Sequence, residues 1–393
     1  MINSHSNLRR PPLVPGTGLK IALCFFLMLC AVSTTLLYST VEKICSSCGG
    51  SRGGEGYYLS VYALGLIAGN LLSSSLSDRL GTRKLLIFSL ITMGLGMLLT
   101  AAAGTQVFAF LSLIIMGMGF SASNALINAS LTDISAGNAA KWVNISQIFF
   151  CVGAMFSPVA SASLCSRAGL SHNTLFLTVG LISAAAAGIC SLWDFGPAAA
   201  AQDTGKAVKS PLSMLKNAGF LIVCLQIFLY LCCETVESSY LRFYFLERGC
   251  PSTLAAFSST LFWAGVVAGR FIGTCLGGKE AQSLRIFPLI FVAGVAMLLF
   301  SGEIWPGLAA SALIGLGCGP LFPLLLLRGS RSFPDRSGTA FSIMVLFANL
   351  GFFVSPVALV TRVGNLRVSM LICAALAVVI IILSFFPFRR ARG

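Results

Sequence analysis

Residues 57–76 and 85–103 are two apolar runs of membrane length, and the charges between them crowd into Ser74 to Lys84, Ser-Ser-Leu-Ser-Asp-Arg-Leu-Gly-Thr-Arg-Lys. Those charges cannot lie in hydrocarbon, which a chain crosses as a helix of about twenty apolar residues with its backbone satisfied internally. They are expected to form a short loop at a bilayer surface, turning a hairpin of two transmembrane helices. Three cations, Arg79, Arg83 and Lys84, against one acid, Asp78, put this loop on the cytoplasmic side by the positive-inside rule, which fixes the direction of every other helix. Gly81 supplies the tight turn.

The rest of the chain obeys the same constraint. With 56% hydrophobic and 10% charged residues it cannot be a soluble globule, in which roughly a quarter would be charged. The first apolar run, 19–38, is too long for a signal-peptide core and more runs follow, so it reads as a retained helix with no cleaved targeting segment. A net charge of +14 would suggest nucleic acid in a soluble protein. Here 19 of the 26 cations fall in segments assigned to the cytoplasm: Arg9, Arg10, Lys20, the three of the first loop, Lys141, Lys206, Lys209, Lys216, Arg270, Lys279, Arg285, Arg328, Arg331, Arg336, Arg389, Arg390 and Arg392. They orient the chain, and no nucleic-acid partner is expected. Most of the 14 cysteines, such as Cys24, Cys151, Cys224 and Cys373, lie within apolar runs as small hydrophobes. Cys45 and Cys48 fall in an expected outer loop, 42–56, where their spacing could hold a disulfide or half a metal site, with no second pair or nearby His to complete one.

Residues 1–18 are read as a cytoplasmic tail, and 19–193 as a six-helix bundle whose later runs are 107–131, 143–163 and 175–193. Residues 194–216 turn polar and Pro/Gly-rich, too polar to span, and read as a cytoplasmic linker. A second six-helix bundle, 217–386, contains runs at 220–241, 253–276, 286–300, 305–327, 340–360 and 368–386, and 387–393 is a second cytoplasmic tail. An internal repeat supports the division. Ala68-Gly69 recurs as Ala268-Gly269, Gly117 and Gly119 as Gly315 and Gly317, and Gly153-x-x-x-Ser157-Pro158-Val159-Ala160 as Gly351-x-x-x-Ser355-Pro356-Val357-Ala358, always 198 to 200 residues apart. Two parallel halves around a central path are the mark of a transporter. The fold class expected is an all-α membrane protein of twelve transmembrane helices in two pseudo-symmetric six-helix bundles.

A charge at bilayer depth is costly, so each one is a functional hypothesis. The seventh run carries Gln226, Tyr230, Glu234, Glu237, Tyr240 and Tyr244 at spacings of three and four, on one stripe of a helix. Glu234 falls near the midplane and Glu237 one turn outward, and both are proton-coupling candidates, suited to take up and release a proton as access alternates. The alternative pairs Glu237 with Arg242 or Arg248 at the outer mouth and leaves Glu234 hydrogen-bonded in the bundle. Thr34, Thr35, Asn124, Asn128, Asn144, Gln147 and Asn349, together with Gln226, Tyr230 and Tyr240, are substrate-path candidates. Amides donate and accept and aromatic faces cover a sugar ring, which suits a neutral, hydroxyl-rich solute. The same groups could instead serve only to join helices. An enzyme would need a nucleophile and base, or metal ligands, at membrane depth. His5 and His172 are the only histidines and no His/Cys/carboxylate cluster appears, so no catalysis, cofactor or metal is expected.

The spacing Asp78-Arg79-x-Gly81-x-Arg83-Lys84 resembles the signature between helices 2 and 3 of the major facilitator superfamily. The resemblance implies that the Asp caps and pairs with neighbouring helix ends while the cations grip cytoplasmic carbonyls and acids, a gating role to which Arg270 is assigned as well. Glu234 to Tyr244, Phe262-Trp263-Ala264-Gly265, Gly269-Arg270 and Gly317-Cys318-Gly319-Pro320-Leu321-Phe322-Pro323 resemble the fucose:proton symporter branch. Phe25-Phe26-Leu27, the Gly117-x-Gly119 run leading to Asn128, and Asn144-x-x-Gln147 agree with it. In sugar:proton members of that branch helices 1 and 4 each carry an acid, and the matching positions here are Leu36 and Asn124. The resemblance therefore implies a carrier of a small polar, sugar-like solute in which Glu234 takes over any coupling to protons. The twin Gly-x-x-x-Ser-Pro segments partly resemble the helix 5 signature of proton-coupled exporters, which leaves export of a drug or metabolite open, as well as a transporter-like receptor without transport. Each Pro should kink its helix and free a carbonyl. The expected setting is the plasma or inner membrane, multi-pass with both termini cytoplasmic, and the chain is expected to work as a monomer.

Overall fold

The computed structural model describes residues 16–51, 53–135, 138–193, 195, 211–276, 279–333 and 337–386. Among them the regular structure is helical: α1 (Thr17–Ser47), α2 (Glu55–Leu80), α3 (Thr82–Ala101), α4 (Gln106–Ile134), α5 (Ala139–Arg167), α6 (His172–Ser191), α7 (Ala218–Glu247), α8 (Ser252–Cys275), α9 (Glu280–Phe300), α10 (Ile304–Cys318), α11 (Leu321–Ser330), α12 (Ser337–Ser355) and α13 (Leu366–Ser384), with a 3-10 turn at Pro211–Lys216 and a π turn at Pro356–Thr361. These supply twelve spans long and apolar enough to cross a membrane, α10 and α11 forming one and α12 continuing through the π turn. The protein is a multi-pass membrane protein. The face where α1 begins and α13 ends is called the near face below, and the opposite one the far face. Both expected tails fall almost wholly outside the described residues, as does the linker apart from its last turn.

Helix ends differ from the expectation in a consistent direction. α2 continues through the charged stretch to Leu80, and Gly81, at φ +77°, both stops it and starts α3. The hairpin turns on one residue rather than on a loop of 74–84, because each residue added to an existing helix gains a backbone hydrogen bond whether or not it is apolar. In the same way α1 overshoots its apolar run to Ser47, so Cys45 is helical and the connection to α2 is only 48–54. Cys45 and Cys48 are free thiols facing different carbonyls, of Ser51 and Ala103. Several starts are capped by the side chains their positions call for: Thr105 accepts from the Phe108 N–H, Asn217 from Phe220 and Asn365 from Val368.

Two six-helix bundles result, and small residues set how closely their helices pack. In the first, α2 and α3 lie against α4 and α1 against α5; in the second, α8 and α9 lie against α10 and α7 against α12 and α13. A Cβ on Gly117 would strike the Tyr62 carbonyl, and one on Gly119 the Met93 amide and Ser89 carbonyl. Their repeat partners meet the repeat partners of those residues: Gly315 faces the Phe262 carbonyl, and Gly317 the Phe291 amide and Phe287 carbonyl. Backbones thus touch at equivalent places in both bundles, as lipid-embedded helices do when small residues line the contact.

The repeated prolines behave differently. α5 runs unbroken through Pro158, whereas the helix containing Pro356 widens into the π turn that follows Ser355. The expected single run 305–327 is also interrupted, α10 ending at Cys318 and α11 restarting at Leu321 across Gly319-Pro320. The bundles meet where α5 packs on α8 and where α2 packs on α12 and the π turn.

Candidate functional site

Glu234 lies sixteen residues from the near end of α7 and thirteen from its far end, which places it about 24 Å and about 20 Å from the two ends at 1.5 Å per residue. The side chains acting on its carboxyl from nearby are Tyr230, one turn earlier, and Arg270 of α8. The Tyr230 hydroxyl makes no hydrogen bond of regular geometry. Arg270 is the residue whose placement differs most from the expectation. It was grouped with the cytoplasmic cations, yet it stands inside α8, five residues before its end, and its guanidinium donates across to the first bundle, to Gln147 Oε1 at 3.4 Å and Cys151 Sγ at 3.3 Å. A long side chain rooted near a helix end can turn inward as readily as outward, and this one does.

The first bundle answers with amides. Gln147 Nε2 donates to Asn128 Oδ1 at 3.3 Å, and Asn128 Nδ2 donates to Asn124 Oδ1 at 2.9 Å and to the Asn124 carbonyl at 2.8 Å. A hydrogen-bonded polar chain therefore runs Asn124, Asn128, Gln147 and Arg270, crossing from one bundle to the other within apolar surroundings, and Glu234 lies within electrostatic reach of its Arg270 end. All five side chains keep partial exposure, so the chain borders a space rather than a sealed core. Among the described residues no group of three His, Cys, Asp or Glu could hold a metal ion.

Other candidates do not join it. Glu237 is fully buried, its two oxygens have no hydrogen-bond partner, and the groups it acts on are Cys233, Cys318 and Cys373 within the second bundle. The alternative pairing with Arg242 or Arg248 is not formed: Arg242 donates to the Ser39 carbonyl, and Arg248 to the Tyr244 hydroxyl and the Ser301 and Gly302 carbonyls. Gln226 ties α7 to the Ile380 carbonyl at 3.1 Å, Thr35 bonds back to Ala31 in its own helix, and Thr34 pairs with the Tyr62 hydroxyl at 2.8 Å. Tyr240 and the Asn349 amide are buried without partners, and Asn144 is exposed towards the near end of α5. At the near face Arg83 donates to the Ser191 carbonyl at 2.6 Å, closing the last turn of α6, as a cation at a helix C-terminus should. The side chains of Asp78 and Arg79 lie outside the described residues.

From the midplane to the far face the bundles are tied by contacts that sequence reasoning missed. Ser60 Oγ donates to the Phe353 carbonyl and Thr260 Oγ1 to the Met155 carbonyl, both at 2.6 Å. The rings of Tyr38 and Tyr62 flank Phe352 at 6.0 and 6.1 Å, and Phe150 meets Trp263 at 6.1 Å. Beyond them a cavity of about 120 Å³ is bordered by Ser39, Lys43, Ser161, Cys165, Arg242 and Ser252. The signal for these contacts was slight: hydroxyls and aromatics in apolar helices carry no spacing of their own.

Paired six-helix bundles with an acid at mid-depth and amide and guanidinium groups between it and the near face form the architecture of a secondary solute carrier. The chain belongs to the Major Facilitator Superfamily, whose family model matches residues 21–356. A chloramphenicol resistance protein of Pseudomonas aeruginosa is 27% identical over 338 residues, which are 80% of this chain and 74% of that protein. The fucose:proton symporter of E. coli has the same fold at a TM-score of 0.66 and 21% identity, over 96% of this chain and 99% of the symporter. The xylose transporter of E. coli in its inward open conformation superposes at 0.70 and 13% identity, over 92% and 95%. The family and these neighbours are transporters rather than enzymes.

Proposed function

We propose that the chain is a secondary active transporter that moves a small polar organic solute by alternating access, with Glu234 carrying a coupled proton. One observation carries this reading: the carboxyl at mid-depth lies within electrostatic reach of Arg270, which ends a polar chain crossing from one bundle to the other, so its protonation state bears on how the bundles meet. The likeness to the fucose and xylose symporters favours a sugar-like solute. In this reading residues 19–193 and 217–386 rock about the midplane on the linker 194–216, and the near face is cytoplasmic in a plasma or inner membrane. Lys20, Lys141, Arg285, Arg328 and Arg331 at that face support the orientation. The protein acts as a monomer.

A second reading, proton-coupled export of a drug or metabolite, is favoured by the likeness to the chloramphenicol resistance protein. Purified protein in proteoliposomes, given a panel of labelled polar solutes and cationic drugs with and without a proton gradient, separates the two. Accumulation along the gradient that Glu234→Gln abolishes, while exchange at equal concentrations persists, is the expected result. Uptake indifferent to the gradient in both proteins would make Glu234 structural and the coupling reading wrong.

A further inference from the structure

We propose that the cavity at the far face binds a small monovalent anion, held between Lys43 of the first bundle and Arg242 of the second, and that the bound anion keeps that face closed. The inference goes beyond the transport reading and uses neither Glu234 nor the solute. It starts from the walls of the cavity, whose volume is about 120 Å³. Ser39 and Lys43 of α1 and Ser161 and Cys165 of α5 meet Arg242 of α7 and Ser252, the first residue of α8, so both bundles contribute. Two of the bordering residues are cations, and among the described residues no acid borders it.

Neither cation forms an ion pair among the described residues. Lys43 is exposed, and no side chain bonds its ammonium there. Arg242 is half-buried; its guanidinium donates to the Ser39 carbonyl and lies 5.6 Å from the Phe243 ring, while its Nε is buried with no partner. The acid that acts on Arg242 is Glu42, which is exposed on α1 and does not border the cavity. It offsets part of the positive charge from outside, so one negative charge completes the balance rather than two. Two cations at one cavity repel, and an anion between them turns that repulsion into attraction. The start of α8 adds to the same field: no side chain caps it, and the amides of the turn that Ser252 opens carry partial positive charge. The Ser39 and Ser161 hydroxyls already donate to the Leu36 and Pro158 carbonyls of their own helices, so the donors left for an anion are the two cations and the start of α8.

The position of the cavity decides what the anion does. Lys43 and Arg242 belong to different bundles, so opening the far face draws them apart. The anion therefore binds the closed form more tightly and, by linkage, populates it. It reinforces the bond from Arg242 to the Ser39 carbonyl, which joins the bundles at the same place.

The test uses the intact protein with chloride as the probe, titrated at constant ionic strength against MES, a sulfonate too bulky to enter. The chloride NMR line should broaden in the presence of the parent protein. Lys43→Gln and Arg242→Gln should each abolish the broadening, and Arg242→Lys should keep part of it. Spin labels at Arg167 and Glu247, on the far ends of α5 and α7, read the closure: saturating chloride should raise the ratio of short to long distances by about fivefold or more, the scale of a typical coupling between sites. Acetate separates the sources of the anion. If it displaces chloride, the site also takes the carboxylate of an organic solute; if it does not, the site is confined to inorganic ions. No broadening by the folded parent, or broadening that both Gln variants leave unchanged, would overturn the site. Broadening with far-face distances indifferent to chloride would overturn the closure. None of these results bears on whether the protein transports, which gradient-driven uptake decides separately.

Discussion

Glu234 and Glu237 stand three residues apart on α7, yet one faces the space between the bundles and the other the inside of the second bundle. A stripe at helical spacing cannot distinguish them, because 60° of rotation separates two surroundings that only the packing of α10 and α13 defines. Glu237→Gln should therefore leave coupled uptake within about twofold of the parent, since it touches no group on the polar chain, whereas a loss as large as that of Glu234→Gln would show that Glu237 carries the proton. Arg270 teaches a related lesson. The expected helix 253–276 already contained it, so it could be counted as a cytoplasmic cation only by ignoring where a long side chain can reach. Arg242 makes its own prediction at the far face, where it donates to the Ser39 carbonyl across the two bundles. Removing a charge-assisted bond of about 1.5–3 kcal/mol by Arg242→Ala should shift the population towards an open far face by about tenfold or more. The rate at which a maleimide labels Cys165, which borders the same cavity, reads that shift in a protein with the other thiols replaced. An unchanged rate would mean the contact does not hold the far face shut.

At the scale of the helix, structure is legible in the sequence where a physical rule has one outcome and not where it has two. Apolar length marked the twelve spans, and the repeat matched the glycines of α4 to those of α10, which the structure shows in equivalent backbone contacts. The ends were misjudged because hydropathy marks the membrane and not the hydrogen-bond ladder, which let α1 and α2 run on through polar residues. Proline has several remedies, so identical Ser-Pro motifs yielded a continuous α5 in one bundle and a π turn in the other. The glycine contacts can be tested directly. Gly119→Ala and Gly317→Ala place a Cβ against backbone and should each lower stability by about 1–3 kcal/mol, as overpacking does. Gly188→Ala in α6, with nothing within 4 Å of the added carbon, should be neutral or gain up to about 1 kcal/mol from helix propensity. Thermal unfolding in detergent measures all three, and equal losses would show that the contacts do not decide the packing.

For the whole molecule, the hydroxyl-to-carbonyl contacts that join the bundles lie towards the far face, and the polar chain joins them again between the midplane and the near face. That arrangement is one end of a rocking motion if Glu234 and its partners form the pivot. The motion itself is the central claim, and distances report it most directly. Spin labels at Asp133 and Arg331 on the near face, and in a second protein at Lys43 and Glu247 on the far face, would give pulsed dipolar distances in lipid at pH 5 and pH 8. The account predicts two populations on each face whose weights change with pH in opposite senses, near distances shortening as far distances lengthen, and loss of that pH response in Glu234→Gln. A single distance on both faces at both pH values, or a pH response that survives Glu234→Gln unchanged, would contradict it.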